Sequence, residues 1–157
     1  MRKLTFLFTL FFVQLACAQS RPIIFDNVEI GSDYSEVATA LAKRYGNPDK
    51  KEASQLTYHN KKFHDCDFDV LIFGFKDGKL NEVRLYSKVP TFAASQSRME
   101  AVARKISSTW SLSKDREGKA AWFYVGGIAP CGIGHLLALH TYKVDGGYHT
   151  ELRFGPF

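Results

Sequence analysis

His59, His64, Asp65 and Cys66 stand close together along the chain, and their types suit metal ligation or thiol activation. Neutral imidazole and thiolate are good metal ligands, and a histidine can take the proton of a nearby cysteine to make it nucleophilic. Their spacing, however, fits no zinc pattern of structural sites. A disulfide at Cys66 also removes the thiolate. No serine nucleophile elbow, HExxH segment, phosphate-cradling glycine loop or paired helix carboxylates occurs elsewhere. Gly126-Gly127, Gly132 and Gly134 precede no helix start, so they read as loop and bend glycines. The sequence therefore assigns no catalytic, cofactor-binding or metal-ligating residue. An enzyme or small-ligand-binding protein with its site near the His59–Cys66 loop stands as one alternative reading.

The N-terminal segment bears on destination. Met1-Arg2-Lys3 supplies a positive start, Leu4 to Ala16 is almost unbroken apolar chain, and Ala16-Cys17-Ala18 offers a small-x-small cleavage site. A signal peptide over residues 1–18, cut after Ala18, is expected, and with it a periplasmic or secreted location and no transmembrane segment in the mature chain. Cys17, following Leu15-Ala16, also resembles the lipobox of bacterial lipoproteins, although Gln14 stands where a leucine is usual. A lipid anchor at Cys17, making a membrane-anchored envelope structural lipoprotein, is the alternative. Cleavage takes Arg2 and Lys3 away and lowers the formal charge from +5 to +3. Such mild charge, spread along the chain rather than gathered on one face, excludes nucleic acid as the expected partner.

Residues 19–157 are the size of a single compact domain. Pro22 to Ile30 predicts a lead-in strand, broken by Gly31-Ser32. Asp33 and Glu36 have the spacing of a capping arrangement for a helix whose buried stripe is Tyr34, Val37, Leu41 and Tyr45. Gly46 and Pro48 end it. Short and long strands follow at Gln55–Asn60 and Asp67–Phe75, with a bend at Phe63–Cys66 between them. Asp77-Gly78 then favours a tight hairpin turn into Leu80–Ser87. After Pro90 the grammar recurs. A helix is expected from Ser95 to Trp110 on Met99, Val102, Ile106 and Trp110, then strands at Trp122–Val125 and Ile133–Lys143, a turn at Asp145-Gly146-Gly147, and a return over Tyr148–Phe154.

Landmarks repeat 65 positions apart: Val37, Leu41, Tyr45, Tyr58 and Cys66 are answered by Val102, Ile106, Trp110, Phe123 and Cys131. The fold class expected is α+β, with two helix-plus-antiparallel-hairpin repeats over about 22–89 and 90–157 and the helices packed on one face of antiparallel sheet. Cys66 and Cys131, one per repeat in an oxidising compartment, are expected to form a disulfide. Closing so long a loop stabilises by roughly 4 kcal/mol on the chain-entropy model.

Ile30-Gly31, Glu36-Val37, Leu41, Gly46-x-Pro48 and Phe75-Lys76-Asp77-Gly78-Lys79-Leu80 together resemble the exported β-lactamase-inhibitor-protein-like group, to which the small lipoprotein of the outer-membrane assembly machine also belongs. The resemblance implies a helix layer on one sheet face and protein binding by the other. The tandem inhibitors carry disulfides within repeats, whereas this chain has one cysteine in each, so neither partner nor inhibitory activity carries over.

In the return strands Val83 and Leu85 alternate with Glu82, Arg84 and Tyr86, and Leu152 and Phe154 alternate with His149, Glu151 and Arg153. Those six polar residues are the expected contacts with an envelope protein, since Tyr and Arg are favoured at protein interfaces. The functional expectation is an exported, non-enzymatic binding module acting without a cofactor.

Overall fold

The computed structural model describes residues 24–129 and 132–155. The signal segment with its Ala18 cleavage, Cys17 and Cys131 lie outside the described residues, and with Cys131 the expected Cys66–Cys131 bridge. Chain order runs β1 (Ile24–Phe25), β2 (Val28–Glu29), α1 (Tyr34–Tyr45), β3 (Lys50–Glu52), β4 (Gln55–Phe63), β5 (Cys66–Lys76), β6 (Lys79–Val89), α2 (Phe92–Ile106), β7 (Ser113–Glu117), β8 (Ala120–Ala129), β9 (Gly132–Val144) and β10 (Gly147–Phe154).

Strands β3 to β10 form one antiparallel sheet in the order β3-β4-β5-β6-β10-β9-β8-β7. This overturns the expected architecture. Among the described residues there are not two helix-plus-hairpin repeats but mainly a single eight-stranded sheet accompanied by two short helices. A lone hairpin leaves a row of unpaired N–H and C=O groups along its outer strand. Here β6 and β10 remove that liability for each other, pairing from Val83↔Phe154 to Tyr148↔Val89. The strands expected at Gln55–Asn60 and Trp122–Val125 are longer, and each gains an outer neighbour, β3 and β7. Every residue of β3 and β7 is exposed, and their charged sequences show no apolar alternation.

Two-residue turns govern the hairpins. His64 and Asp65 lie at φ 46° and 56° between β4 and β5, and Asp77 and Gly78 at 52° and 75° between β5 and β6. Both pairs have the positive φ angles that match the twist of flanking strands. The expected lead-in strand is instead folded on itself as the β1–β2 ribbon, because Asp26 and Asn27 take φ 47° and 67°.

Helix boundaries shift for local reasons. Thr91 caps α2, its hydroxyl accepting the Ala94 N–H at 3.1 Å, so the helix starts at Phe92 rather than Ser95 and ends at Ile106 rather than Trp110. Asp33 precedes α1 but makes no side-chain capping bond; its carboxylate lies 3.0 Å from Lys79 Nζ instead.

The core lies between the helices and one sheet face. Tyr58, Leu71, Leu85, Leu152, Leu139 and Phe123 are successive register partners across six strands, which places them on the same face. They share one buried cluster with Val37 and Leu41 of α1 and Met99, Val102 and Ile106 of α2. Phe25, from the β1–β2 ribbon, stacks on Phe63 at 4.5 Å and meets Phe154 edge-on, while Trp110 packs beside Phe63 and Phe154 just past α2. Tyr45 ties that ribbon to α1, its hydroxyl donating to Asp26 at 2.7 Å.

Candidate functional site

The next row of register partners, Thr57, Ile72, Arg84, Arg153, Ala138 and Tyr124, belongs to the opposite face because side chains alternate along strands. No described helix or loop forms a layer over it. Glu82, Arg84 and Tyr86 on β6 share this face with His149, Glu151 and Arg153 on β10, so the six candidate residues come together.

Their contacts are diagonal, each reaching a residue two places from its register partner. Arg153 Nη2 lies 2.8 Å from Glu82 Oε2, and Arg84 Nε lies 3.6 Å from Glu151 Oε1. Tyr86 stacks on His149 with ring centres 4.6 Å apart and planes 16° from parallel. Glu151 is not a surface acid: it is 5% exposed. Its carboxylate lies beneath the surface beside Arg84.

Two residues of β9 complete the cluster. His140 is the register partner of Glu151, and its Nε2 lies 3.8 Å from Glu151 Oε2. Tyr142 is the register partner of His149, and its hydroxyl meets His149 Nδ1 at 3.1 Å. The hydroxyl can donate to a bare Nδ1 or accept from a protonated one. Neither residue was among the sequence candidates. The expected contacts came from the two return strands alone, whereas the pairing of β9 with β10 brings these two in; the turn is Asp145-Gly146 alone, Gly147 pairs with Val144, and β10 starts one residue earlier than expected. Gly147 is required there, since a Cβ would lie 2.5 Å from the Val89 carbonyl oxygen.

Burial shapes the protonation of the cluster. It holds His140 below the ordinary imidazole value, with Glu151 pulling upward and Arg153 downward. His149 is lowered as well, first by burial and then by Lys88. Burial, reinforced by the Glu151 charge, pushes the Tyr142 hydroxyl up to about 12. Both histidines are thus mainly neutral near pH 7. Beside the Tyr86–His149 stack an open cleft of about 490 Å³ reaches Lys88, Pro90 and the Asp145-Gly146 turn.

The other candidate cluster does not converge. His59 turns to Asp49, whose carboxylate accepts its backbone N–H at 2.6 Å and lies 3.3 Å from its Nδ1. His64 sits in the β4–β5 turn with its ring against Phe63 and Trp110. Cys66 is buried, and burial raises its thiol. The cleft of about 210 Å³ beside that turn is lined by Asp26, Arg44, Lys62, His64 and Asp65, with neither His59 nor Cys66. Among the described residues no three His, Cys, Asp or Glu side chains gather as a metal-binding set, and no helix is long and apolar enough to cross a membrane.

In comparison with known proteins, no family model matches this chain, and neither a curated protein nor a solved structure is similar enough to count as a match.

Proposed function

We propose that the protein is an exported, non-enzymatic binding module of the cell envelope that recognises an envelope protein through the face formed by β6, β10 and β9. One observation carries the reading. At the centre of the sheet, a face without a covering layer among the described residues holds Arg84, Arg153, Tyr86, Tyr142, His140 and His149 in pre-formed contact above a buried carboxylate. Arginine and tyrosine are enriched where protein interfaces gain most of their energy. Side chains already held by neighbours lose less freedom on binding, which favours affinity. Kinship with the β-lactamase-inhibitor-protein-like modules and export by the N-terminal segment belong to the same proposal.

Affinity capture from a native envelope fraction, with mass-spectrometric identification, tests it. Arg84→Ala combined with Tyr86→Ala is expected to lower recovery of one defined partner at least tenfold while the thermal unfolding transition is retained. Binding of that purified partner at fixed stoichiometry completes the demonstration. Unchanged recovery with the double variant would refute the face as the binding surface.

A further inference from the structure

We propose that the occupant of this face is an acidic protein segment, admitted when His140 and His149 take up protons in mildly acidic surroundings. This inference rests on the reading of the face as a protein-binding surface and names the chemistry of its partner.

The disposition of charge carries it. Both acids of the central cluster are already paired with an arginine: Glu82 with Arg153, and buried Glu151 with Arg84. A basic segment arriving from outside therefore finds both of these acids already paired, and Asp69 at the edge of the patch already accepts the Lys88 backbone N–H. An acidic segment meets the side chain of Arg84, 39% exposed, that of Arg153, 33% exposed, and the exposed Lys88, which makes no ion pair among the described residues. Arginine can hold one carboxylate and still present further N–H donors to another.

The histidines add a conditional charge to the same patch. Around His140 stand Glu151 and Arg153 from β10 and Tyr142 from its own strand, and on the β8 side Tyr124 is the register partner of Ala138, two residues along from His140. Around His149 stand Tyr86 and Lys88 from β6, Tyr142 from β9, Glu151 from its own strand and Asp69 from β5. Tyr142 touches both rings, at 5.7 Å from His140 and 5.3 Å from His149, so the two imidazoles border one continuous patch. In the free protein protonation is opposed by burial and, respectively, by Arg153 and Lys88. An incoming carboxylate supplies the missing counter-charge. Proton uptake and binding then favour each other, as linkage demands.

The test uses the full chain and a synthetic Asp/Glu-rich peptide of about ten residues, with a Lys-rich peptide as control, followed by fluorescence anisotropy at constant ionic strength. Affinity for the acidic peptide is expected to rise about tenfold from pH 7.5 to pH 5.5, a range in which the peptide carboxylates stay ionised. His149→Gln and His140→Gln are each expected to remove part of that rise, and the double variant nearly all of it, with circular dichroism confirming that each remains folded. Arg84→Ala is expected to weaken binding across the range. Affinity independent of pH, a rise preserved in the double histidine variant, equal binding of the Lys-rich peptide, or no binding of the acidic peptide overturns the inference. If envelope capture remains sensitive to the Arg84 and Tyr86 substitutions while the acidic peptide fails, the inference alone falls; if capture is insensitive, the underlying reading falls with it.

Discussion

Arg84 and Arg153 face each other as register partners across the central strand pair, and each turns to the acid two residues before the other: Arg84 to Glu151, Arg153 to Glu82. Two like charges opposed on a sheet are unfavourable. The crossed pairing places a carboxylate beside each guanidinium and offsets that repulsion. The two crossed pairs are not equal, because Glu151 is far more deeply buried than Glu82, whose side chain is 25% exposed.

That inequality sets the first expectation. Glu151→Gln leaves Arg84 and Arg153 facing each other with one anion fewer beneath the surface, and should cost about 1–3 kcal/mol. Glu82→Gln should cost under about 1 kcal/mol, as for solvent-reached ion pairs. Urea unfolding at neutral pH compares them, and an equal cost would contradict that inequality.

Tyr58 lies fully buried beneath α1, and its hydroxyl has no hydrogen-bond partner among the described residues. Burial raises its pKa, which keeps the phenol neutral. Tyr58→Phe removes an unsatisfied polar atom while preserving the ring contacts with Tyr45 and Phe73. It is expected to leave stability unchanged or raise it by about 1 kcal/mol. A loss above that size in a thermal melt would show that the hydroxyl is bonded.

The two helix starts should respond differently to truncation. Thr91→Ala removes an observed capping bond to Ala94 and is expected to cost about 1 kcal/mol. Asp33→Ala removes no cap bond, only an exposed ion pair with Lys79, and should cost about half as much or less. Midpoints of chemical unfolding distinguish the pair.

Acid sensitivity follows from His140. Its folded pKa lies below the ordinary 6.5, so the unfolded chain binds the proton more readily. The stability contributed by the neutral ring is fully present above about pH 6.5 and is lost as the pH falls through that value towards the folded pKa. Between pH 7.5 and 5.5 the unliganded wild type should therefore lose more stability than His140→Gln. Parallel pH profiles for the two proteins would contradict the buried-imidazole account.

Alternation along single strands was enough to put Glu82, Arg84 and Tyr86 on one face, and His149, Glu151 and Arg153 likewise, because a hydrophobic set on one side commits the other set to the opposite side. The diagonal contacts were not legible, since they depend on how β6 meets β10, a tertiary pairing with no connecting turn to set it. His140 and Tyr142 lie on β9, outside the two return strands from which the expected contacts were drawn, and only the pairing of β9 with β10 adds them to the face. The outer strands β3 and β7 carry no apolar signal at all; backbone hydrogen bonds to β4 and β8 create them. Asp33 shows the converse error: its type and position suited a cap, but Lys79 across the isolated bridge with β6 captured the carboxylate.

The charged borders of the sheet decide how the molecule behaves among copies of itself. Lys50-Lys51-Glu52 on one border and Lys114-Asp115-Arg116-Glu117 on the other are exposed, and a second chain laid against either would have to strip water from them and meet charge at nearly every place. Ribbon growth by strand addition is thereby resisted at both ends. The molecule is suited to remaining a discrete particle when concentrated, even though more than half of its described backbone is β-strand.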